Sequence, residues 1–380
     1  MTPADTAERA RQAREYESLH NRLFVIRLLV TALALAVFHF AGGSVHLAAG
    51  LRTHCGGWWP LTHGLYILTA VFGFAAFTFP LSFYEEHALE HRYGLSRQTF
   101  GSWLWDYAKG LLLELALALV FFEVLYALLH WAPDTWWLFA TGFYVIFSIG
   151  LSAVAPVLIM PLFHKFEPLD NPELVQRVTG FAQRAGLKIT GVFRWGLAEK
   201  TATANAALAG LGRTRRIILG DTLLKGYTTD EILAVLAHEL GHQRHHDLTR
   251  LLVVGSALAG LAFGLLHLVL GKMTLAAGFS GAADIAGFPL LVFCLFLFSL
   301  VTMPLVNTYS RRREYAADAY AVATLGSNAP LIGALEKLAL QNLDDREPAA
   351  WIECLLHSHP SIARRVAAVR DIKLAHLTVR

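Results

Sequence analysis

Residues 234–247, AVLAHELGHQRHHD, run directly into LTRLLVVGSALAGLAFGLLHLVL, residues 248–270, so a stretch rich in histidine and glutamate abuts one apolar enough to cross a membrane. Polar chemistry needs water and a bilayer excludes it. The reading of this junction therefore decides the fold: either the second stretch is a buried core helix, or a reactive helix is held at the edge of a membrane.

Composition favours the membrane. Of 380 residues, 55% are hydrophobic and 16% charged, with a mean hydropathy of +0.46. Soluble domains are about 45–50% apolar and about 25% charged. A formal charge of +3, with no basic stretch interleaved with aromatics and no phosphate-cradling glycine loop, excludes a nucleic-acid partner. Cys55, Cys294 and Cys354 lie far apart and form no CxxC pair, which argues against a disulfide framework or a thiolate metal site. The polar, charged start MTPADTAERARQAREYESLHNR lacks the pattern of a cleaved signal peptide, so the first apolar run is expected to remain as an anchor.

An α-helix needs about 20 residues to cross about 30 Å of hydrocarbon. Six runs qualify, near 23–41, 61–83, 111–130, 137–160, 251–270 and 285–306. Arg9, Arg11, Arg14, Arg22 and Arg27 lie at the start of the first; Arg92, Arg97 and Lys109 between the second and third; Lys165 after the fourth; Arg244 and Arg250 before the fifth; Arg311, Arg312 and Arg313 after the sixth. The opposite flanks hold only Arg52 and Lys272. The positive-inside rule then puts both termini, and the histidine-rich segment, in the cytoplasm. Trp58, Trp59, Trp131, Trp136 and Trp137 cluster on the outer ends, as interfacial aromatics do.

The expected fold is a mainly α-helical polytopic membrane protein of about six spans with an embedded α+β domain holding a small β-sheet. Residues 1–160 form an N-terminal membrane domain of about four spans. Residues 161–380 form a second domain that includes a two-span membrane hairpin at about 251–306. Within it, Pro161, Pro168 and Pro172 punctuate PLFHKFEPLDNPE, where a soluble segment begins, before an amphipathic LVQRVTGFAQRAGL, and ITGVFRW, TATANAALAGLGRT and RRIILGDTLL read as short strands with glycine turns. Thr228 or Thr229, with Asp230 and Glu231, suits the start of the helix bearing HELGH. The stretch from Ala329 to His376 reads as helices.

His238 and His242, four apart, share one helical face with Glu239 beside them. Two imidazoles so placed can ligate Zn²⁺, and the glutamate can act as general base. A catalytic zinc needs a third protein ligand, and REYAADAY offers Glu314, with Asp318 four residues on. His242 and Glu314 each lie a few residues outside the fifth and sixth runs, about 12 Å beyond the hydrocarbon, so the hairpin brings them to one level. Asp318 could fix the tautomer of a ligand histidine. His245 and His246 read as solvated, and His39 and His267 as lining a polar interior within the spans.

With these residues in place, the sequence resembles the type I CAAX prenyl endopeptidases, integral-membrane zinc metalloproteases of the HExxH gluzincin kind. The likeness runs from about Phe79 to the C-terminus through FPLSFYEEHALEHRYGLSRQTF, MPLFHKFEPL, ANAALAG, RRIILGDTLL, AVLAHELGHQRHHD, REYAADAY and HSHPSIARRV. It implies that residues 161–380 form a zinc metalloprotease domain, with one Zn²⁺ per chain on His238, His242 and Glu314 and Glu239 as general base. It also implies Asn205 on an edge strand that pairs with the substrate backbone, and His359 and Arg365 near the scissile bond, where a donor would stabilise an oxyanion. The implied partners are the bilayer and peptide or protein substrates, lipidated or membrane-associated ones included; the implied location is the inner membrane of a bacterium. The eukaryotic members have seven spans where six are read here, and their serine before the asparagine is Ala204. Two other readings are a general quality-control protease of the HtpX type, and a non-hydrolytic zinc-holding chaperone, against which an intact Glu239 argues.

Overall fold

The computed structural model of the chain describes residues 3–210 and 215–373. Six of its helices are long and apolar enough to span a bilayer: Ala4–Phe40, Trp59–Arg92, Phe100–Trp131, Trp136–Phe163, Asp247–Ala276 and Ile285–Leu325. They contain the six runs read from the sequence. Their outward faces carry bare aliphatics, Val301 74% and Ile146 73% exposed, which only a lipid solvent would cover. Between them pack Tyr66, Leu125, Tyr126, Phe263, Leu266 and Leu291. The helix Gly43–His54, about 18 Å long at 1.5 Å per residue, is too short to cross. Ser44 pins it, donating to the Ala286 carbonyl at 2.6 Å and lying 2.6 Å from the Tyr66 hydroxyl. Trp136, read as interfacial, is instead buried against Phe263.

The polar N-terminus is helical as well: a single helix runs Pro3–Phe40. Its first five turns, built from strong helix formers such as Ala, Glu and Arg, form an arm outside the membrane that lies against the C-terminal part of the chain. Arg9 Nε donates to the Leu340 carbonyl at 3.0 Å, the Asp345 N–H to Glu17 at 2.7 Å, and Ala13 packs with Leu95 and Leu343.

A four-stranded sheet, β1 (Phe166–Pro168), β2 (Val192–Trp195), β3 (Ala206–Ala209) and β4 (Arg216–Gly220), has the order β1-β2-β4-β3. The β2–β4 pair is parallel and the others antiparallel, with Ala206 opposite Leu219 and Leu208 opposite Ile217. Three of these strands are legible as runs; β1 lies in the proline-punctuated start of the soluble segment, where no strand is expected. Pro168 is tolerated there because β1 is an edge strand. The end of TATANAALAGLGRT, residues 211–214, lies outside the described residues. Helix Pro172–Arg184 starts on an Asn171 cap that accepts from the Leu174 N–H. The C-terminal helices are Ala329–Asn342, Ala350–Leu356 and Ile362–Asp371; residues 374–376 of the expected helical stretch lie outside the described residues.

The helix Thr229–Arg244 bears HELGH and opens on a capping box, in which the Glu231 N–H donates to Thr228 Oγ1 and the Thr228 N–H to the Glu231 carboxylate. Ile232, Leu233, Leu236 and Leu240 bury its other faces among Val178, Phe181, Ile217, Leu219, Leu331 and Leu335. It does not run straight into the fifth span. His246 adopts φ +55°, a left-handed conformation that ends the helix, and a second one begins at Asp247. The sixth span, in contrast, continues unbroken as Phe288–Leu325 and carries Glu314 and Asp318 out of the membrane.

Candidate active site

Close helix packing brings the ligand candidates together. A Cβ at Gly241 would lie 2.9 Å from Ala317 Cα, so the glycine of HELGH and an alanine of REYAADAY let the two helices touch backbone to backbone. His238 and His242 then face Glu314. Their Nε2 atoms are 3.1 Å apart, and each is 3.4 Å from a Glu314 oxygen. One ligand atom from each of the three residues lies within 4.8 Å of the others.

The remaining nitrogens are fixed by carboxylates. His238 Nδ1 donates to Asp318 at 2.8 Å and His242 Nδ1 to Asp247 at 2.9 Å. Both Nε2 lone pairs therefore point at Glu314, whose buried Oε2 accepts no hydrogen bond. Two lone pairs and a buried carboxylate converging on one point suit a cation, and the Arg365 guanidinium, with Nη1 3.4 Å from the same Oε2, shows the pull of that carboxylate on positive charge. The electrostatics agree. Burial disfavours the charged imidazole of His238, yet Asp318 and Glu314 outweigh it and raise the group to about 9. For His242, burial is likewise overcome by Glu314 and Asp247. A site that tightens an imidazole's hold on a proton suits a divalent metal equally, and two histidines and a glutamate are the donor set of a zinc centre that keeps an open position.

Around these residues the structure gathers the others read from the sequence. Asp318 is buried behind His238 and is gripped by both arms of Arg365, Nη2 at 2.7 Å and Nε at 2.9 Å. Burial works against the Arg365 charge, but Asp318 raises its affinity for the proton. Glu239 is half-buried beside the histidines, and that burial pushes its carboxyl above the usual range. His359 is open to solvent, with Nε2 3.4 Å from Glu314. Asn205 is exposed immediately before β3. Asn205, His238, Glu239, His242, Glu314, His359 and Arg365 all line one cavity of about 890 Å³.

Sequence reasoning missed six contributors. Asp247 closes the quoted HELGHQRHHD and holds His242, while Arg313 pairs with Asp247 from the facing helix. Tyr16, Glu17 and His20 of the N-terminal arm form part of the cavity wall. Asn342 sits beside Ala204 at the mouth of β3. His39 packs on Phe279 and His267 on the Trp136 and Trp137 rings, both away from the ligand set.

Residues 168–373 match the model of peptidase family M48. Residues 3–165 match a model described as CAAX prenyl protease N-terminal, five membrane helices; that range here holds four helices of membrane length and the short Gly43–His54. The chain is thus an integral membrane protein with several spans. It is 31% identical over 281 residues to the uncharacterized metalloprotease YhfN of Bacillus subtilis, covering 72% of this chain and 65% of that one. It is 30% identical over 311 residues to CAAX prenyl protease 1 of Saccharomyces cerevisiae, covering 76% and 68%. The crystal structure of S. mikatae Ste24p superposes with a TM-score of 0.83 at 26% identity, over 95% of this chain and 88% of that one.

Proposed function

The chain belongs to peptidase family M48, a family of zinc-dependent hydrolases, and from that premise we propose that it is a membrane-embedded endopeptidase of the CAAX prenyl protease kind, cutting peptides that carry a lipid or an apolar tail. The observation that carries this reading is the convergence of three cation-seeking ligand atoms beside Glu239, in one cavity flanked by a sheet edge.

In this reading His238, His242 and Glu314 hold one zinc per chain. Zinc held there supplies Lewis acidity and lowers the pKa of a water toward about 7. Glu239 takes the proton of the attacking water and returns it to the leaving amine. Asp318 and Asp247 keep the imidazoles in the tautomer that presents Nε2. The β3 edge, entered at Asn205, holds an extended peptide by strand addition. His359, on the open side of the ligand set, donates to the developing oxyanion. Arg365 acts from behind, holding Asp318 in place. Residues 1–160 serve as the N-terminal membrane domain, and 161–380 as the protease domain, which includes the two-span membrane hairpin.

The test is hydrolysis by the purified full chain of two quenched-fluorescence peptides that share one sequence, one ending in a prenylated C-a-a-X box and one unprenylated. Binding energy from a remote apolar group, about 0.8 kcal/mol per buried CH₂, should raise kcat/KM for the prenylated peptide after correction for micelle partitioning. About one zinc per chain should be found, and a chelator should abolish turnover. Equal kcat/KM for both peptides would favour the quality-control reading; no hydrolysis of either would favour a chaperone.

The catalytic side faces the cytoplasm in this proposal, because Lys and Arg crowd the membrane flanks on that side and the N-terminal arm docks there. With Cys55, Cys294 and Cys354 replaced by serine, an impermeant maleimide should reach Thr53→Cys on intact cells and Glu347→Cys only after permeabilisation. The reverse pattern would overturn the orientation.

A further inference from the structure

The strand entered at Asn205 is closed on one side in an unusual way. The Asn205 carbonyl accepts the Gly220 N–H at 2.9 Å, so this residue's backbone faces β4. Backbone groups alternate sides along a strand. Those of Ala204 and Ala206 therefore face the open edge. Ala206 keeps its pair free for an incoming peptide. Ala204 does not: its N–H donates to Asn342 Oδ1 at 2.9 Å and its carbonyl accepts from Asn342 Nδ2 at 3.2 Å. The side-chain amide thus occupies the position that a peptide unit of a further strand would fill.

Asn342 is itself held firmly. It is the last residue of helix Ala329–Asn342, which ends on Leu343 in a left-handed conformation, φ +58°. Leu343 is buried with Ala13 of the N-terminal arm and Leu95. Arg9 donates to the carbonyls of Leu340 and Gln341, and Glu17 accepts from the Asp345 N–H, so the arm grips the turn on both sides of Asn342. Gln341 Nε2 donates to the Ala202 carbonyl at 2.8 Å, fixing the segment that leads into the strand. Asn205, Ala206 and Asn342 line the same cavity as His238 and Glu239.

From this we infer that Asn342 is a register stop: a positioning residue that ends the substrate-binding edge at Ala204, so that an extended peptide pairs first with Ala206 and presents one bond to the ligand set. The inference rests on the peptidase reading above. Its physical content is that a strand without such a stop can slip by two residues and keep every side chain on its own face. Pairing that is equally strong before and during the reaction shows in KM and leaves kcat unchanged.

The experiment digests the prenylated peptide with the full-length wild type and with Asn342→Ala, identifies the cut by mass spectrometry, and measures KM, kcat and zinc content. The wild type should cut one bond. Asn342→Ala frees the Ala204 N–H and carbonyl to pair with the peptide, so it should give a second product displaced by two residues and a KM no higher than that of the wild type, with the summed kcat and the zinc content unchanged. Asn342→Asp keeps the acceptor for the Ala204 N–H and loses only the donor, so it should give the same displaced product in smaller proportion. A single unshifted cut in Asn342→Ala would overturn the inference. So would parallel losses of kcat and zinc in both variants with the cut unshifted, since that pattern marks a merely structural residue. No cleavage by the wild type would remove the peptidase reading, and this inference with it.

Discussion

Glu239→Gln should lower kcat on the prenylated peptide by about 10²–10⁴-fold, the usual worth of general acid–base catalysis, while the chain still carries its zinc. At 1.36 kcal/mol per decade that is about 3–5 kcal/mol of barrier. Three features set the expectation. Glu239 is not one of the three residues whose ligand atoms converge, so the metal should stay. It lies in the cavity beside them, half-buried, within reach of a water and of the leaving group. Its burial raises the affinity of the carboxylate for a proton, which a base must first take up and then release. Glutamine fills the same space but accepts no proton. Turnover and metal content measured on the same preparation decide the matter. Near-normal turnover with zinc bound would mean that another group moves the proton, and loss of zinc would put Glu239 among the ligands.

Much of this architecture was legible because a bilayer reduces folding to one dimension: a run either covers about 30 Å of hydrocarbon or it does not. The start of the HELGH helix was equally plain, since Thr228 and Glu231 form a capping box from adjacent sequence. What the sequence hid depends on contacts between distant residues or on a break without a marker. A continuous helix would turn Asp247, five residues after His242, about 140° away from it. Only the left-handed turn at His246, unannounced by glycine or proline, swings Asp247 back to its 2.9 Å contact. Arg9 meets Leu340 across the whole chain, and no periodicity in the polar N-terminus signals that docking. Asn342 reads as an ordinary helix end until Ala204 is placed beside it.

The break at His246 also answers the question of water at a membrane edge. The sixth span stays continuous and carries Glu314 outward, while the HELGH helix is released from the fifth span and packs across the sixth at Gly241 and Ala317. The histidines are thereby held by the protease core of Leu236, Leu240 and Ile217 rather than by lipid. The membrane-spanning helix fixes the height of Glu314; the core outside the membrane fixes His238 and His242.

Arg365 gives the sharpest test of whether a buried charge positions or catalyses. Its side chain is 10% exposed and Asp318's 2%, and both arms of the guanidinium hold the carboxylate that orients His238. Arg365→Ala would leave Asp318 charged and buried with one partner fewer. Breaking such a pair from one side costs about 3–5 kcal/mol, a large share of the stability of any domain. The expected result is a lower urea midpoint for the detergent-solubilised chain and weaker zinc retention against a competing chelator, with activity falling in step with metal content. Arg365→Lys keeps the charge but not the two-armed grip and should fall between the wild type and Arg365→Ala on each measure. A direct role on the reacting atoms gives a different pattern: full stability and full zinc in Arg365→Ala, with kcat alone depressed. That outcome would move Arg365 from behind the histidines to the oxyanion, beside His359.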